Sequence, residues 1–573
     1  ALLGSDQLLE LAQEKVRFVF RATRVYSLLL RNLQNRRYLR DGVDRSIQLE
    51  QLGRAQVPPR GAVDEPDVKS HFWPVFAAER RAMEESDIPF FTARASDDAL
   101  IVSPGEEIEG CMREPSFDLV LSVLDGLGDA DLEKQVAFIE GSMYAHLARE
   151  TTASRLVSFT KETEEDGSAG PPSNEAFVAP ALNLAEAIRS RAIRAEDGSA
   201  AWIAPQYLVQ AERYQLQPMD YNLYGGTGGV ALFLAAAERF SPGSGYGELA
   251  LAAVRSLQTV LNRRPDRFAE TVGIGGASGL GSVAYSLLRV SRLLDEPALL
   301  EEARRIALLI SEERIASDQV LDVIGGAAGA ILGLTALYEA SHDREILERA
   351  IACGEHLLEA RTENETGHRA WVTDEDPRIS GFSHGTAGIA YALLRLYEHT
   401  EDARLVEAAK EAIAYEDTLY SPEARNWVDS TEPGKPAYLW KWCHGAPGIG
   451  LARLGGLSVL DTGQVREDIE LALQTTLELG VQGVDHPCCG NMGRAELLLA
   501  SGRRLSRPEL EEAARARAWR VVTRAERTDG FVLHPMLPRQ VDNPGFFHGT
   551  AGIGYELLRM ARPDLLPSVL LWE

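Results

Sequence analysis

Two adjacent cysteines stand in the segment HPCCGN, residues 486–491, of a 573-residue chain that contains only five cysteines. Neighbouring residues hold their Cβ atoms in directions that strain a disulfide, so Cys488 and Cys489 are poorly placed to pair with each other. Cys443 stands before a similar glycine, in WCHG. Three thiolates with one open position form a zinc site of the catalytic kind, and we predict such a site here. The alternative is that the three cysteines are small buried hydrophobic residues.

Histidines and one aspartate accompany these cysteines. His444 and His486 lie close to them in sequence and are alternative ligands in place of one sulfur, so the residues leave the ligand set open. We do not include His548, in FFHG, among the zinc ligands, because its position is equally consistent with a histidine of the core or of a loop. His384, in FSHG, and Asp322, in LDVIGG, stand before glycines, where such residues are ordinarily caps or turn residues.

All of these residues share one place in an internal repeat. The pattern Gly-x-x-Gly occurs seven times, 45 to 60 residues apart, with its first glycine at Gly226, Gly276, Gly326, Gly385, Gly445, Gly490 and Gly549. We call the residues directly before each glycine pair the pre-glycine loop. The first three loops carry mostly apolar or small residues, whereas the last four carry the histidines and three of the five cysteines. A closed ring of repeats would bring these side chains together.

The repeat also predicts the elements that hold the loops. Each glycine pair opens an apolar helix, such as GIAYALLRLYEH, and amphipathic helices such as REILERAIACGEHLLEARTE lie between them. The alternation of apolar and amphipathic helices predicts two shells, with the apolar helices inside and the amphipathic helices around them. The fold prediction is therefore mainly α: a double ring of seven inner and seven outer helices, with the inner N-termini converging on one end. Periodicity alone does not distinguish this closed ring from an open solenoid.

Composition excludes several classes of protein. The formal net charge of −26 and the isoelectric point near 5.0 argue against a nucleic-acid partner, because phosphate neutralisation requires a basic face. No apolar run reaches the roughly 18 residues of a membrane span. The odd number of cysteines favours a reducing compartment, which we take as the cytoplasm. No signal peptide is visible, and the chain begins with Ala1 rather than Met, so we expect a longer natural chain.

A linker is predicted ahead of the repeats. Residues 162–175, ETEEDGSAGPPSNE, are charged and then rich in glycine, serine and proline, with no apolar period on which to fold. This segment divides the chain into residues 1–161 and residues 176–573. The second part contains all seven glycine pairs and is predicted to be the double ring.

The repeat array has a family resemblance. The segments DVIGGAAG, SHGTAGIAYALLR, WCHGAPGIG, CCGNMG and HGTAGIGYELLR resemble the LanC cyclase family over roughly residues 176–573. The whole chain is similar to the C-terminal part of a class II lanthipeptide synthetase of the LanM type from bacteria. This resemblance implies an α/α toroid with a catalytic zinc. It implies a lanthionine synthetase that adds peptide cysteines to dehydroalanine or dehydrobutyrine, with a leader-core precursor peptide as its partner.

Carried over position by position, the resemblance implies that Cys443, Cys488 and Cys489 are the zinc ligands. The commoner cyclase pattern has histidine at the last position, so this chain resembles the Cys-Cys-Gly subgroup, which includes enzymes tolerant of many precursors. A third thiolate makes the site more negative, so zinc withdraws less charge from a substrate sulfur. His384 matches the histidine that delivers a proton to the enolate, and Asp322 matches an aspartate that orients or charges it or helps deprotonate the thiol.

The N-terminal part resembles a dehydratase. Residues 16–23, VRFVFRAT, alternate and predict a half-buried strand with Arg17 and Thr23 on one face, ordinarily a solvated one. Both residues match those with which LanM dehydratases eliminate phosphate, which arginine can hold in bidentate fashion. Residues 87–94, DIPFFTAR, resemble the closing segment of that domain. The chain lacks a nucleotide loop and the kinase-like Asp, His and Asn cluster. Residues 1–161 are therefore expected to be an α+β remnant of a kinase-like dehydratase, and ATP and Mg²⁺ are expected only for the full-length enzyme.

Two functions from other classes are alternatives. One is a zinc protein similar to the eukaryotic LanC-like relatives, which handles glutathione or acts as a binding module; the attached dehydratase-like segment argues against it. The other is a glycosidase on an α/α toroid, whose chemistry requires two carboxylates that flank the substrate. Asp322 has no acidic counterpart in the pre-glycine loops. A bound zinc ion would argue against the glycosidase.

Overall fold

The computed structural model describes residues 10, 12–18, 20–54, 68–151, 172–208, 213–363, 367–373, 380–429, 437–535, 538–539 and 542–573. Its contacts divide the chain into two compact units, Ala1–Gln135 and Val136–Glu573. Most of the predicted linker, residues 162–171, lies outside the described residues, so the boundaries of that linker stay a prediction. Among the described residues, none of the helices is both long enough and apolar enough to cross a membrane.

The N-terminal unit contains a four-stranded antiparallel sheet in the order β1-β2-β3-β4. Its strands are β1 Lys15–Phe18, β2 Phe91–Arg94, β3 Leu100–Ser103 and β4 Glu106–Ile108. The helices of this part of the chain are α1 Thr23–Leu33, α2 Arg36–Arg40, α3 Gly42–Arg54, α4 Val68–Glu84, α5 Ser116–Asp125 and α6 Asp129–Thr151. Strand β2 lies in the segment DIPFFTAR and pairs directly with β1.

The predicted strand over residues 16–23 is wrong in its second half. Strand β1 ends at Phe18, and helix α1 begins at Thr23. Along α1 the buried residues recur every three or four positions, so the helical period of this segment outweighs the short alternation that precedes it. Arg17 thus lies on a strand and Thr23 at the start of a helix, and the two do not share one face of a strand.

The C-terminal unit is built almost entirely from helices. They are α7 Val178–Ser190, α8 Thr227–Phe240, α9 Tyr246–Arg263, α10 Pro265–Val272, α11 Leu280–Leu294, α12 Pro297–Leu308, α13 Glu312–Ala316, α14 Ala327–Ser341, α15 Arg344–Glu359, α16 Thr386–Thr400, α17 Ala403–Asp417, α18 Ala446–Gly455, α19 Gly463–Glu478, α20 Asn491–Arg504, α21 Pro508–Arg527 and α22 Thr550–Ala561, with 3₁₀ turns at Asn174–Phe177 and Val569–Leu571. Short antiparallel strand pairs lie in the connections between helices: β5 Ile193–Arg194 with β6 Ala200–Ala201, β7 Ile203–Leu208 with β8 Arg213–Pro218, β9 Thr362–Glu363 with β10 Arg369–Ala370, and β11 Tyr420–Ser421 with β12 Asn426–Trp427.

The helices form two concentric rings, and the inner ring is closed. The inner helices in the described chain are α8, α11, α14, α16, α18, α20 and α22; each packs against the next, and α22 packs against α8. Each inner helix also packs on one outer helix, taken in the same order from α9, α12, α15, α17, α19, α21 and, for α22, α7. The inner helices are buried over nearly their whole length. The predicted α/α toroid of seven inner and seven outer helices is confirmed, and closure decides against the open solenoid.

The pre-glycine loops are joined by a closed cycle of backbone hydrogen bonds. Each loop donates an N–H to a carbonyl of the next loop around the ring, with N···O distances of 2.9 to 3.3 Å. The donor and acceptor pairs are Tyr224 to Ala277, Gly276 to Val323, Val323 to Ser383, Ser383 to Cys443, Cys443 to Cys488, Cys488 to Phe547 and Phe547 to Tyr224. The loops therefore form one connected layer across the end of the inner ring at which its helices begin.

The glycines have a steric reason for their spacing. A Cβ on Gly388 would lie 1.9 Å from the carbonyl oxygen of Phe382, and a Cβ on Gly448 would lie 1.9 Å from that of Trp442. The pre-glycine loop folds back over the first helical turn, and only glycine leaves room for it. In the second repeat the residue that caps the helix is Gly279, three positions after the glycine that the pattern predicts, so the register of that repeat differs from the sequence-based alignment.

A buried ion network ties the inner ring to the outer one. The guanidinium of Arg453, on α18, lies 2.9 Å from carboxylate oxygens of both Glu416, on α17, and Asp468, on α19, and all three side chains are at most 2% exposed. Replacing Arg453 with methionine leaves two carboxylates buried without a cation, so we expect the free energy of unfolding to fall by about 3–5 kcal/mol in urea titrations. Arg466→Met removes the exposed pair with Asp461 and is the control, with an expected loss of about 0–1 kcal/mol. Equal losses would contradict the prediction.

Candidate metal centre and active site

The three predicted ligands converge in the layer of pre-glycine loops. The Sγ atom of Cys489 lies 3.5 Å from the Sγ atoms of both Cys443 and Cys488, and all three sulfurs lie within 4.8 Å of one another. Tetrahedral zinc with Zn–S bonds of about 2.3 Å places its sulfurs about 3.8 Å apart, so the three thiols fit a zinc ion that retains one open position. All five cysteines are free, and the adjacent pair forms no disulfide.

Burial and mutual hydrogen bonding give these three thiols unequal pKa values. Burial raises the pKa of the Cys443 and Cys488 thiols well above the ordinary value, whereas hydrogen bonds from those two thiols hold the pKa of Cys489 well below it. Lys441 faces the cluster, and the negative charge of Cys489 raises the pKa of its ammonium group. A buried group of three thiols favours a cation at its centre, because only a cation allows all three to ionise together.

His548 and His486 flank the cluster on one side. The Nε2 atom of His548 lies 3.9 Å from the Sγ of Cys489, and the two imidazole ring centres are 4.7 Å apart. His486, Cys489 and His548 could themselves hold a metal ion, as a second group that shares one sulfur with the first. Burial lowers the pKa of His486 to about 3, and its Nδ1 accepts a hydrogen bond from the Cys489 backbone N–H. His486 therefore supports the loop as a neutral ring.

A histidine and aspartate pair lies in the neighbouring loops. The Nδ1 atom of His384 lies 2.6 Å from Oδ2 of Asp322, which is 2% exposed and also accepts a hydrogen bond from the Gly325 N–H. The His384 side chain is 35% exposed. Its ring centre lies 5.7 Å from that of His444, the residue that directly follows Cys443. The structure thus brings the predicted proton donor and its aspartate to the loop layer that holds the thiols.

His444 contacts a carboxylate and a second imidazole. Its Nδ1 lies 3.1 Å from the buried Oδ2 of Asp429, and its ring stacks on His384. It is absent from both groups of possible metal ligands among the described residues. The alternative ligand set that uses His444 in place of a cysteine therefore has no support in the geometry.

Tyr224 is a site residue that the sequence analysis missed. Its hydroxyl oxygen lies 3.4 Å from the Sγ of Cys488 and 2.9 Å from Nε2 of His548, and its ring stacks on Phe547 with 5.0 Å between centres. Burial raises its pKa well above the ordinary value, so the phenol stays protonated. The signal was its position in the first pre-glycine loop, the place that cysteines occupy in two later repeats.

The predicted dehydratase residues lie in the N-terminal unit. Arg17 is exposed on β1 opposite Thr92, and its guanidinium lies 5.5 Å from the ring centre of Phe90. Arg21, in the same segment, forms an ion pair with Glu79 at 2.6 Å, and its side chain is only 9% exposed. Burial removes Arg21 from any solvated face, and the roles of Arg17 and Thr23 stay predictions.

Two family profiles match the chain. The profile described as lanthionine synthetase C-like protein matches residues 217–571, and a domain of unknown function, DUF4135, matches residues 1–94. Among curated proteins, the lacticin 481/lactococcin biosynthesis protein LcnDR2 of Lactococcus lactis subsp. lactis is 23% identical over 421 residues, which cover 71% of this chain and 41% of that protein. The chain therefore spans about two fifths of the length of this relative.

Solved structures with similar folds were also found. Nisin cyclase matches with a TM-score of 0.48 and 18% identity, over 61% of this chain and 92% of its own. The Lin0763 protein of Listeria innocua matches with a TM-score of 0.39 and 15% identity, over 50% of this chain and 85% of its own. The family profile covers more than half of the chain and all seven pre-glycine loops. The chain belongs to the family of lanthionine synthetase C-like proteins.

Proposed function

We propose that this chain is a zinc-dependent cyclase that closes lanthionine and methyllanthionine rings in a precursor peptide. The observation that carries the proposal is the convergence of three thiols in one loop layer with a histidine and aspartate pair. The Sγ atoms of Cys443 and Cys488 each lie 3.5 Å from the Sγ of Cys489. Membership of the lanthionine synthetase C-like family supports this chemistry.

The reaction joins two parts of one peptide. The sulfur of a peptide cysteine forms a bond to the β-carbon of dehydroalanine or dehydrobutyrine, the alkene electrons move to the α-carbon and its carbonyl, and one proton then returns to the α-carbon. Cys443, Cys488 and Cys489 would hold the zinc ion and leave one coordination position for that peptide. When bound, zinc supplies the positive charge that lowers the pKa of a coordinated thiol.

His384 is the group proposed to handle the proton. Asp322 accepts the hydrogen bond of Nδ1–H, which fixes the tautomer and directs Nε2 as the atom that exchanges a proton with the substrate. The aspartate is buried and also bound to the Gly325 N–H, so the orientation of the imidazole is determined before the substrate arrives. Protonation of the enolate by His384 completes the addition.

The N-terminal unit is proposed to belong to a dehydratase. Arg17 and Thr23 would eliminate phosphate from phosphorylated serine or threonine in the full-length synthetase, with ATP and Mg²⁺ required there. The match to LcnDR2, a protein of greater length, supports a larger parent enzyme. The cytoplasm is the proposed location, and the leader-core precursor is the proposed partner.

The proposal is tested with a peptide dehydrated chemically beforehand. Ring closure leaves the mass unchanged, so the loss of free thiols is followed by alkylation and mass spectrometry, with a sample without enzyme to measure spontaneous addition. We expect the chain to consume thiols faster than this background and to leave an unmodified peptide with ATP at its full mass. Thiol loss at the background rate would contradict the cyclase. ATP-dependent loss of water from the unmodified peptide would contradict our expectation that this chain does not dehydrate its substrate.

A further inference from the structure

The segment Pro567–Glu573 lies inside the inner ring. Its residues Val569, Leu570, Leu571 and Trp572 are at most 1% exposed. Three buried tyrosines at the same position of their repeats donate hydrogen bonds to backbone carbonyls of the segment, at 2.8 to 3.0 Å: Tyr285 to Glu573, Tyr391 to Leu571 and Tyr555 to Pro567. Helices from three repeats therefore hold this segment at the centre of the toroid.

Trp572 lies directly beneath the pre-glycine loops. Its ring centre is 6.2 Å from those of Phe382, Trp442 and Phe547, and its indole N–H donates a hydrogen bond of 2.9 Å to the Gly276 carbonyl. The rings of Trp572 and Phe382 are within 7° of parallel. One side chain thus contacts the loops of four different repeats.

The residues that Trp572 contacts are neighbours of the site. Trp442 directly precedes Cys443, and Phe382 stands two positions before His384. Phe547 accepts the backbone hydrogen bond of Cys488 and stacks on Tyr224. A change in the position of these aromatic rings would move both the thiols and the proton donor, because close-packed protein interiors transmit displacements.

We propose that Trp572 is a positioning residue that sets the separation of the three thiols and thereby the affinity of the site for zinc. The inference rests on the proposed zinc function. Groups behind metal ligands fix ligand orientation, and their loss typically costs about 10- to 100-fold in metal affinity. Trp572 acts in this way through its ring contacts with the loops and its hydrogen bond to the Gly276 carbonyl.

The test measures zinc affinity of the full chain by competition with a chromophoric chelator. Trp572→Leu removes the stack and is expected to weaken zinc binding at least about tenfold. The matched control is Trp202→Leu. Trp202 is equally buried, and its indole N–H donates to the Ile188 carbonyl in the outer helix α7. The control is expected to lower the melting temperature while it leaves zinc affinity within about twofold of wild type.

A conservative variant keeps the inference testable if Trp572→Leu does not fold. Trp572→Phe retains an aromatic ring but loses part of the indole and the N–H that holds Gly276, so its zinc affinity is expected to fall between those of Trp572→Leu and wild type. Wild-type affinity in a folded Trp572→Leu protein would overturn the inference. So would wild-type affinity in Trp572→Phe when the leucine variant is unfolded, or equal weakening in the Trp202 control. Failure of the wild-type chain to bind zinc would instead overturn the proposed function.

Discussion

Cys489→Ala is expected to slow ring closure about 1,000-fold, because losing one of three metal ligands removes about 4 kcal/mol of transition-state stabilisation. Cys489 is the central member of the trio: its sulfur lies 3.5 Å from each of the other two. Without it, Cys443 and Cys488 remain as two buried thiols whose pKa is raised by burial. The rate of thiol loss from a dehydrated peptide measures the effect.

Two further variants make this prediction specific. Cys353 is a fully buried cysteine on the outer helix α15, so Cys353→Ala repeats the same chemical change away from the site and is expected to keep the wild-type rate. Cys489→His restores a metal ligand of the kind found in the commoner cyclase pattern and is expected to recover most of the activity. A Cys489→Ala protein as active as Cys353→Ala would remove the trio from the mechanism.

His384→Asn is expected to slow ring closure by about 100- to 10,000-fold, the usual contribution of a positioned acid or base. The amide keeps a polar group next to Asp322 but cannot deliver a proton. Zinc content is expected to stay at the wild-type level, because His384 belongs to neither group of possible ligands in the described chain. Reduced activity with intact zinc separates a proton donor from a metal ligand.

The control for this variant lies on the helix that follows His384. His399, near the end of α16, contacts Glu339 at 3.0 Å, far along the helix from the loop layer. His399→Asn is expected to close rings at the wild-type rate. If His384→Asn lost zinc along with activity, the histidine would have to be reassigned to the metal site.

The site could be predicted from the sequence to the extent that the repeat marked it. Cys443, Cys488, Cys489 and His384 all stand one or two positions before an N-cap glycine, and equivalent positions of a closed ring converge. Closure itself could not be predicted from periodicity, because the contact between α22 and α8 joins the two ends of the repeat array. The resemblance to the cyclase family supplied that information.

Other features depended on contacts that no local pattern encodes. Tyr224 stands directly before Gly225 and Gly226, and nothing in this local sequence indicates a role at the site. Only closure of the toroid places its hydroxyl next to the sulfur of Cys488, 264 residues away in sequence. Trp572 follows the last repeat in a short apolar segment that carries no repeat pattern. It nevertheless contacts the loops of four repeats. Residues 16–23 alternate like a strand, but the helical period that begins at Thr23 shortens it.

Zinc content per chain measures directly whether the three cysteines hold a metal ion. The chain is purified without chelators, and zinc is measured by elemental analysis against protein concentration from amino-acid analysis. We expect about one zinc ion per wild-type chain, held by three thiols with one open position. We also expect clearly less zinc in Cys489→Ala. A wild-type chain free of zinc, or a Cys489→Ala chain that retains the full amount, would contradict the assignment of the three cysteines as ligands of a catalytic metal.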